Sequence, residues 1–329
     1  MRDRLDGVAE PELRRALCAW DVDAVSLAYA PVGFGDYHWT ALDARGWRWF
    51  VTVADLTRKV QYGAGVADAW DGLGRAMDTA FDLRNHGKLD FVVAPLRTAA
   101  GETLRRLGSR YAVSVFPFVD GAPGDFGQAL SSDERGLVLD MLAALHRAAP
   151  PASAPALLPD LSTRATLETG LDELGRPWHG GPFAERARAL VSDGASALRR
   201  RLDEFDRRAG DVTRAGRKPV VTHGEPHPGN VLRLGERRML VDWDTVGLAM
   251  PERDLWSVAE DPDDLARYAE ASGRRPDPST LALYRLRWDL DEVAVYIGDF
   301  RSPHGLTSDT EQAWTGLAGA MERLTGGKS

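Results

Sequence analysis

Positive charge is in short supply in this 329-residue chain: 41 lysines and arginines face 49 aspartates and glutamates, a net charge of −8. A chain so balanced is a poor match for a polyanionic partner, so bulk electrostatics argue against nucleic-acid binding. Cysteine is nearly absent. With Cys18 alone, no disulfide can close within the chain, which fits a reducing compartment and a cytoplasmic protein. Its setting, Leu17-Cys18-Ala19-Trp20, reads as that of a core thiol. Long apolar runs are missing too. No stretch approaches the roughly 18 residues a membrane helix needs, and the opening Met1-Arg2-Asp3-Arg4-Leu5-Asp6 has no apolar run behind it, so neither a membrane partner nor a signal peptide is expected. There is no internal repeat and no low-complexity tract.

What is present is an ordinary globular composition, 43% hydrophobic, in a chain long enough for two lobes. Residues 8–20 predict a first helix with Leu13, Leu17 and Trp20 on one face. Extended runs follow at 25–29, 38–43 and 47–53, the first two separated by the glycine turn Val32-Gly33-Phe34-Gly35-Asp36-Tyr37. A helix is expected over 66–85, then strands at 91–96 and 110–116. Five strands and one helix predict a small antiparallel lobe. Beyond residue 117 the pattern turns helical. Ser131 and Glu134 form a capping box ahead of a helix with apolar positions 137, 138, 141, 142 and 145. A proline- and alanine-rich linker spans 149–159, and helices follow at 164–175, 183–208 and 278–299. A short strand over 218–222 and a hairpin of 231–234 with 238–243 lie between the last two. The expected domains are therefore 1–117 and 118–329, in an α+β fold.

The chemistry concentrates in His223-Gly224-Glu225-Pro226-His227-Pro228-Gly229-Asn230, in Val241-Asp242-Trp243-Asp244 and in Pro251-Glu252-Arg253-Asp254-Leu255. A strand leads into a loop of glycine, proline and histidine, residues that hold unusual backbone angles. The loop offers a carboxylate and, five residues later, an amide. The hairpin then brings a second carboxylate to a strand end. Hard oxygen ligands of this kind suit Mg²⁺, and a carboxylate beside an acceptor hydroxyl can orient it and take its proton. His223 and His227 are four apart but have no helix between them and no cysteine partners, so zinc binding is a poor reading and loop bracing a better one. Asp244 reads equally as a metal contact or a turn residue. Asp254 reads as a helix-start or loop-bracing acid.

This order and spacing resembles the aminoglycoside phosphotransferase family with its choline-kinase relatives, whose pattern is His-Gly-Asp, four residues, Asn, then a strand ending in Asp. The resemblance implies a bilobal protein-kinase-like fold with a small antiparallel β N-lobe plus one helix and a larger, mainly helical C-lobe. It implies a catalytic set of Glu225, His223 and Asn230, with Mg²⁺ on Asn230, Asp242 and Asp244. ATP or GTP would bind at Gly33, Gly35, Thr52, Phe116 and Phe118. The implied activity is transfer of the γ-phosphate to a hydroxyl of an aminoglycoside, aminocyclitol or nucleoside antibiotic, which would confer resistance. Choline, an amino alcohol or a sugar is the alternative acceptor, and a nucleotide-binding pseudokinase is a third reading. Asp289, Asp291, Glu292 and Trp288, on one C-terminal helix, are the expected acceptor-binding residues; the competing reading of that helix is an aromatic core face with solvated acids. The protein is expected to act as a monomer or weak dimer on small molecules.

Two departures stand out. Glu225 occupies a position where the family has Asp, so its carboxylate reaches about 1.5 Å further. Thr52 stands where the third strand of the family carries a phosphate-contacting Lys, and the expected helix at 66–85 offers no Glu to pair with one. Arg58 and Lys59 follow closely as possible substitutes.

Overall fold

A computed structural model describes residues 1–5, 7–63 and 65–326. The chain packs as two compact units. One combines Met1–Leu157 with Lys218–Pro276, the other Leu158–Arg217 with Asp277–Ser329. These units do not share the expected 117/118 boundary: residues 118–157 and 218–276 group with the N-terminal residues in the first.

In the first unit, α1 (Glu10–Leu17) continues into a single 3₁₀ turn, and Leu13, Leu17 and Trp20 are buried as their spacing predicts. Cys18 corrects the core-thiol expectation. The 3₁₀ turn rotates it to the surface, where its Sγ meets the Arg14 carbonyl. Strands β1 (Ala24–Ala30), β2 (Tyr37–Asp43), β3 (Arg48–Asp55), β4 (Arg105–Leu107) and β5 (Tyr111–Pro117) form an antiparallel sheet in the order β1-β2-β3-β5-β4. The alternation of Val51, Val53, Val113 and Val115 buries one face against α1. The long helix α2 (Val66–Asn85) follows β3.

The strand expected at 91–96 is instead an extended passage. It meets Leu240 through a single parallel bridge at Val92, and the Leu96 N–H donates to the Val115 carbonyl. The fifth strand of the sheet is β4, too short to show a periodicity in the sequence.

The two-residue strand β6 (Ala122–Pro123) leads to α3 (Ser132–Arg147), which opens with the expected capping box of Ser131 and Glu134. After residues 158–217 of the second unit, the chain returns through β7 (Val220–Thr222), β8 (Val231–Leu234), β9 (Arg237–Leu240) and β10 (Gly247–Ala249). The short α6 (Glu252–Leu255) and then α7 (Pro262–Ser272) complete the unit. The hairpin β8–β9 turns at Gly235, φ 56°. Its second strand stops at Leu240, three residues short of the expectation, because Asp242 adopts φ 65° and swings the chain out of the ladder.

The second unit is helical: α4 (Arg164–Asp172), α5 (Ala184–Ala215), α8 (Pro278–Arg301) and α9 (Ser308–Thr325). Leu167, Val191, Leu198, Phe205, Leu290, Val293, Ile297, Phe300 and Leu317 form its core. α5 runs seven residues past the expected end and stops at Gly216, whose φ of 57° gives the left-handed cap. Among the described residues no helix is long and apolar enough to cross a membrane.

Candidate active site

The site is built from the loop after β7. That strand is buried along its length and pairs antiparallel with β10, so the direction in which it delivers His223 is set. Beneath the loop sits Asp254 of α6, fully buried. It accepts the backbone N–H of His223 at 2.8 Å and of Gly224 at 2.6 Å, and meets His146 Nε2 at 3.0 Å. The other ring nitrogen of His146 lies 2.7 Å from the Tyr268 hydroxyl. Burial by itself would raise the Asp254 carboxyl, but the bond from His146 and the charges of His146 and Arg253 hold it below the ordinary aspartate range. Asp254 is thus a loop-bracing acid, anchored by residues on α3 and α7.

His223 braces the loop from above. Its Nε2 lies 2.9 Å from the Val241 carbonyl, and its Nδ1 accepts the Glu225 N–H at 3.2 Å. That pattern requires a neutral ring with the proton on Nε2, and burial lowers its pKa accordingly. Gly224 has φ 105°. A Cβ there would fall 2.4 Å from Arg253 Nη2, and the Arg253 guanidinium is itself tied at 2.9 Å to Thr222 Oγ1 and at 2.9 Å to the Thr245 carbonyl. Only glycine fits that backbone over that arginine.

Glu225 is half-buried. The buried Asn230 donates from Nδ2 to the Glu225 carbonyl at 2.9 Å, a bond only its nitrogen can make, and the same nitrogen lies 3.3 Å from His227 Nε2. The Asn230 amide is therefore oriented with its oxygen left over. His227, pushed down to about 4 mainly by burial and also by His223, stays neutral and can accept. Among the described residues Asp242 has no hydrogen bond or ion pair. Its carboxylate is open to solvent yet hemmed in by protein, and this enclosure, followed by the charges of Asp244 and Glu225, pushes its pKa well above the ordinary range. No three His, Cys, Asp or Glu side chains among the described residues converge tightly enough to hold a metal alone. A free amide oxygen and an unbonded carboxylate nonetheless match Mg²⁺, which takes a few hard protein oxygens and fills its octahedron with waters and phosphates.

Asp244 is engaged otherwise. Its Oδ2 lies 2.6 Å from Lys59 Nζ, and the same nitrogen lies 2.9 Å from Asp36 Oδ2. Burial disfavours the Lys59 charge, but Asp244 and Asp36 outweigh it and hold the ammonium protonated far above its usual range. Asp36 lies in the glycine turn between β1 and β2, where Gly33 and Gly35 have φ 70° and 105°. Thr52, in β3, pairs across the sheet with His38 and hydrogen-bonds its Nδ1 at 3.1 Å. Phe116 stands opposite Phe50 in the ladder. Phe118 carries the Arg48 guanidinium 4.1 Å from its ring centroid.

A sequence comparison now has a fold and a loop to match. The profile described as the phosphotransferase enzyme family covers residues 43–295, the sheet and the loop included. The chain belongs to this family. Protein StrN of Streptomyces griseus is 30% identical over 258 residues, spanning 76% of this chain and 75% of that protein. A spectinomycin phosphotransferase structure holding ADP and spectinomycin superposes with a TM-score of 0.72 at 17% identity, over 96% of this chain and 98% of its own. An amicoumacin kinase with AMP-PNP and Ca²⁺ gives 0.59 at 13% identity, over 98% and 93%. At such identities these structures establish the protein-kinase-like fold of this phosphotransferase.

The expected acceptor residues of the phosphotransferase lie on α8 in the second unit. Asp289 Oδ1 is 2.7 Å and Glu292 Oε2 is 2.6 Å from the guanidinium of Arg323 on α9. Trp288 is half-buried and hydrogen-bonds Glu292. Asp291 accepts from Thr163 Oγ1 at 2.6 Å and pairs with Arg287 at 3.4 Å. Burial raises the pKa of all three acids against these partners.

Sequence reasoning did not find Asp36, Arg253 or Tyr268. Each acts through a partner 23 to 122 positions away in the chain, and no local pattern marks such pairs. Lys59 was visible as a nearby cation, but its two carboxylates were not.

Proposed function

We propose that this phosphotransferase moves the γ-phosphate of ATP or GTP onto a hydroxyl of an aminoglycoside- or aminocyclitol-type antibiotic. The observation that carries the reading is the carboxylate of Glu225 on a loop locked by Asp254, beside the unbonded Asp242 and the oriented amide of Asn230. Asn230 and Asp242 would hold Mg²⁺, which when bound offsets charge on the phosphates. Glu225 accepts the proton of the acceptor hydroxyl. The acceptor oxygen forms its bond to the γ-phosphorus as the bond to the β-bridging oxygen breaks, and the nucleoside diphosphate leaves with that electron pair. Positioning dominates such a loose transition state, so the extra methylene of Glu225 is compatible with the chemistry where the acceptor sits correspondingly further back. The acceptor class draws support from the spectinomycin and amicoumacin enzymes that share the fold.

A second reading, phosphorylation of choline, an amino alcohol or a sugar, is favoured by one observation. Asp289 and Glu292 are already neutralised by Arg323, which leaves fewer acids for a polycation. Purified protein with Mg²⁺, ATP or GTP and a pooled panel of antibiotics and metabolites decides between them by mass spectrometry. A phosphorylated antibiotic, lost in Glu225→Gln and Asp242→Asn, supports the first reading. A metabolite turned over at far higher kcat/KM supports the second. Nucleotide binding without turnover of any acceptor refutes both and leaves a pseudokinase.

A further inference from the structure

At Thr52 the small sheet offers no cation, and one sits buried nearby at Lys59. Thr52 Oγ1 is committed to His38, so β3 itself offers no positive charge at that point. Lysine occurs at only four positions of this arginine-rich chain: 59, 88, 218 and 328. One of the four is buried at the turn after β3, between two carboxylates. A compact ammonium with three donors can meet both carboxylates from one nitrogen.

The cluster is short of positive charge. Asp36, Asp242 and Asp244 supply three carboxylates against two ammoniums, that of Lys59 and the N-terminal one, which donates to the backbone carbonyls of Val32, Gly33 and Asp36. The bonding is also unfinished, since Asp36 Oδ1 is buried with no hydrogen-bond partner, a costly condition for a buried polar atom. The turn carrying Lys59 cannot drift to relieve this. Tyr62 donates its hydroxyl to the Asp244 carbonyl, and its ring lies where a Cβ on Gly72 of α2 would stand, 2.4 Å away. The backbone is wedged and the lysine side chain is the movable part.

We propose that Lys59 is the phosphate-gripping cation of this enzyme, that Asp36 is its lasting counter-ion, and that Asp244 releases it when a divalent metal arrives. The inference rests on the phosphoryl-transfer reading above. In the nucleotide-free protein the ammonium neutralises Asp244. A metal held beside Asp242 would supply that neutralisation in its place. Lys59 then swings onto both oxygens of Asp36, which satisfies Oδ1, and turns its remaining donor to the phosphates. The glycine turn that carries Asp36 is drawn in with it.

Calorimetric titration of wild type, Lys59→Met, Lys59→Arg and Asp36→Asn tests this with two ligand sets. The first is Mn²⁺ alone. The second is the nucleoside, diphosphate and triphosphate, with Mg²⁺, of whichever purine the wild type binds. Lys59→Met should bind Mn²⁺ about tenfold more tightly without nucleotide, because a competing charge has gone. It should bind the triphosphate about tenfold or more weakly, as expected for a lost charged hydrogen bond, while the nucleoside stays within about twofold. Lys59→Arg should recover part of the triphosphate affinity. The nucleoside serves as the control for an intact fold. Should Lys59→Met fail to fold, Asp36→Asn carries the test, because it leaves Lys59 on Asp244 and should weaken triphosphate binding with no gain for Mn²⁺. Equal losses for nucleoside and triphosphate, or unchanged affinities throughout, overturn the role of Lys59 and leave the kinase reading intact. A wild type that binds no nucleotide overturns both.

Discussion

The two sides of the loop after β7 are built on opposite principles. Beneath it, Asp254, His146, Tyr268 and Arg253 form a buried network in which Asp254 meets two backbone N–H groups and an imidazole. Facing it, Asp36, Lys59, Asp242 and Asp244 leave one carboxylate unbonded and one buried oxygen unpartnered. At the centre of the first region both oxygens of Asp254 are bonded in the absence of any ligand, as a support requires, since a half-satisfied buried carboxylate is costly. The second is left deficient in positive charge, which suits the metal and nucleotide proposed for it.

The largest expected effect comes from breaking the support beneath the loop. Asp254→Ala removes the acceptor of two buried N–H groups and the partner of His146, and should cost about 3–5 kcal/mol of stability. Denaturant unfolding would show it, and activity should be lost with it. If stability barely falls, the network is not the support described here. Glu225→Gln acts on the facing side and should do the reverse. It should lower kcat by about 100- to 10,000-fold as a lost general base, with stability changed by no more than about 0.5 kcal/mol. A Gln variant with wild-type kcat would remove Glu225 from the chemistry.

Gly224→Ala lies between the two regions. Its φ of 105° and the 2.4 Å approach to Arg253 should together cost about 1–3 kcal/mol, with a larger loss in kcat than in nucleotide affinity. The smallest effect belongs to an ion pair remote from both. Asp55 sits at the end of β3, where burial would raise its pKa but bonds from Arg110 and Thr57 bring it below the usual value. A depressed folded pKa gives stability that is complete above the unfolded value, about pH 4, and is lost as pH falls through the folded one. Asp55→Asn should therefore flatten the acid limb of the stability curve and cost about 1–2 kcal/mol at neutral pH, a modest figure because half of Arg110 is in water. An unchanged acid limb would assign the acid sensitivity to Asp254 instead.

Much of this was legible in the residues. Local signals sufficed for the capping box at Ser131 and Glu134, the hairpin turn at Gly235 and the amphipathic spacing of α1, because each depends on neighbours a few positions apart. The loop motif from His223 to Asn230 was legible for the same reason. The strand expected at 91–96 failed because an apolar run does not say whether a ladder partner exists. Cys18 came to the surface because one turn of 3₁₀ helix follows α1.

The sequence by itself determined the family, the β-then-helical order and the carboxylate-bearing loop, all of which reside in short-range periodicity and fixed spacing. Only the tertiary structure decided where charge is paired and where it is left over. It joined Lys59 to Asp244 across 185 positions, Asp254 to His146 across 108, and the acids of α8 to Arg323 on α9. The worth of a buried charge depends on what lies within a few ångströms of it, and that distance is set by packing, not by position along the chain.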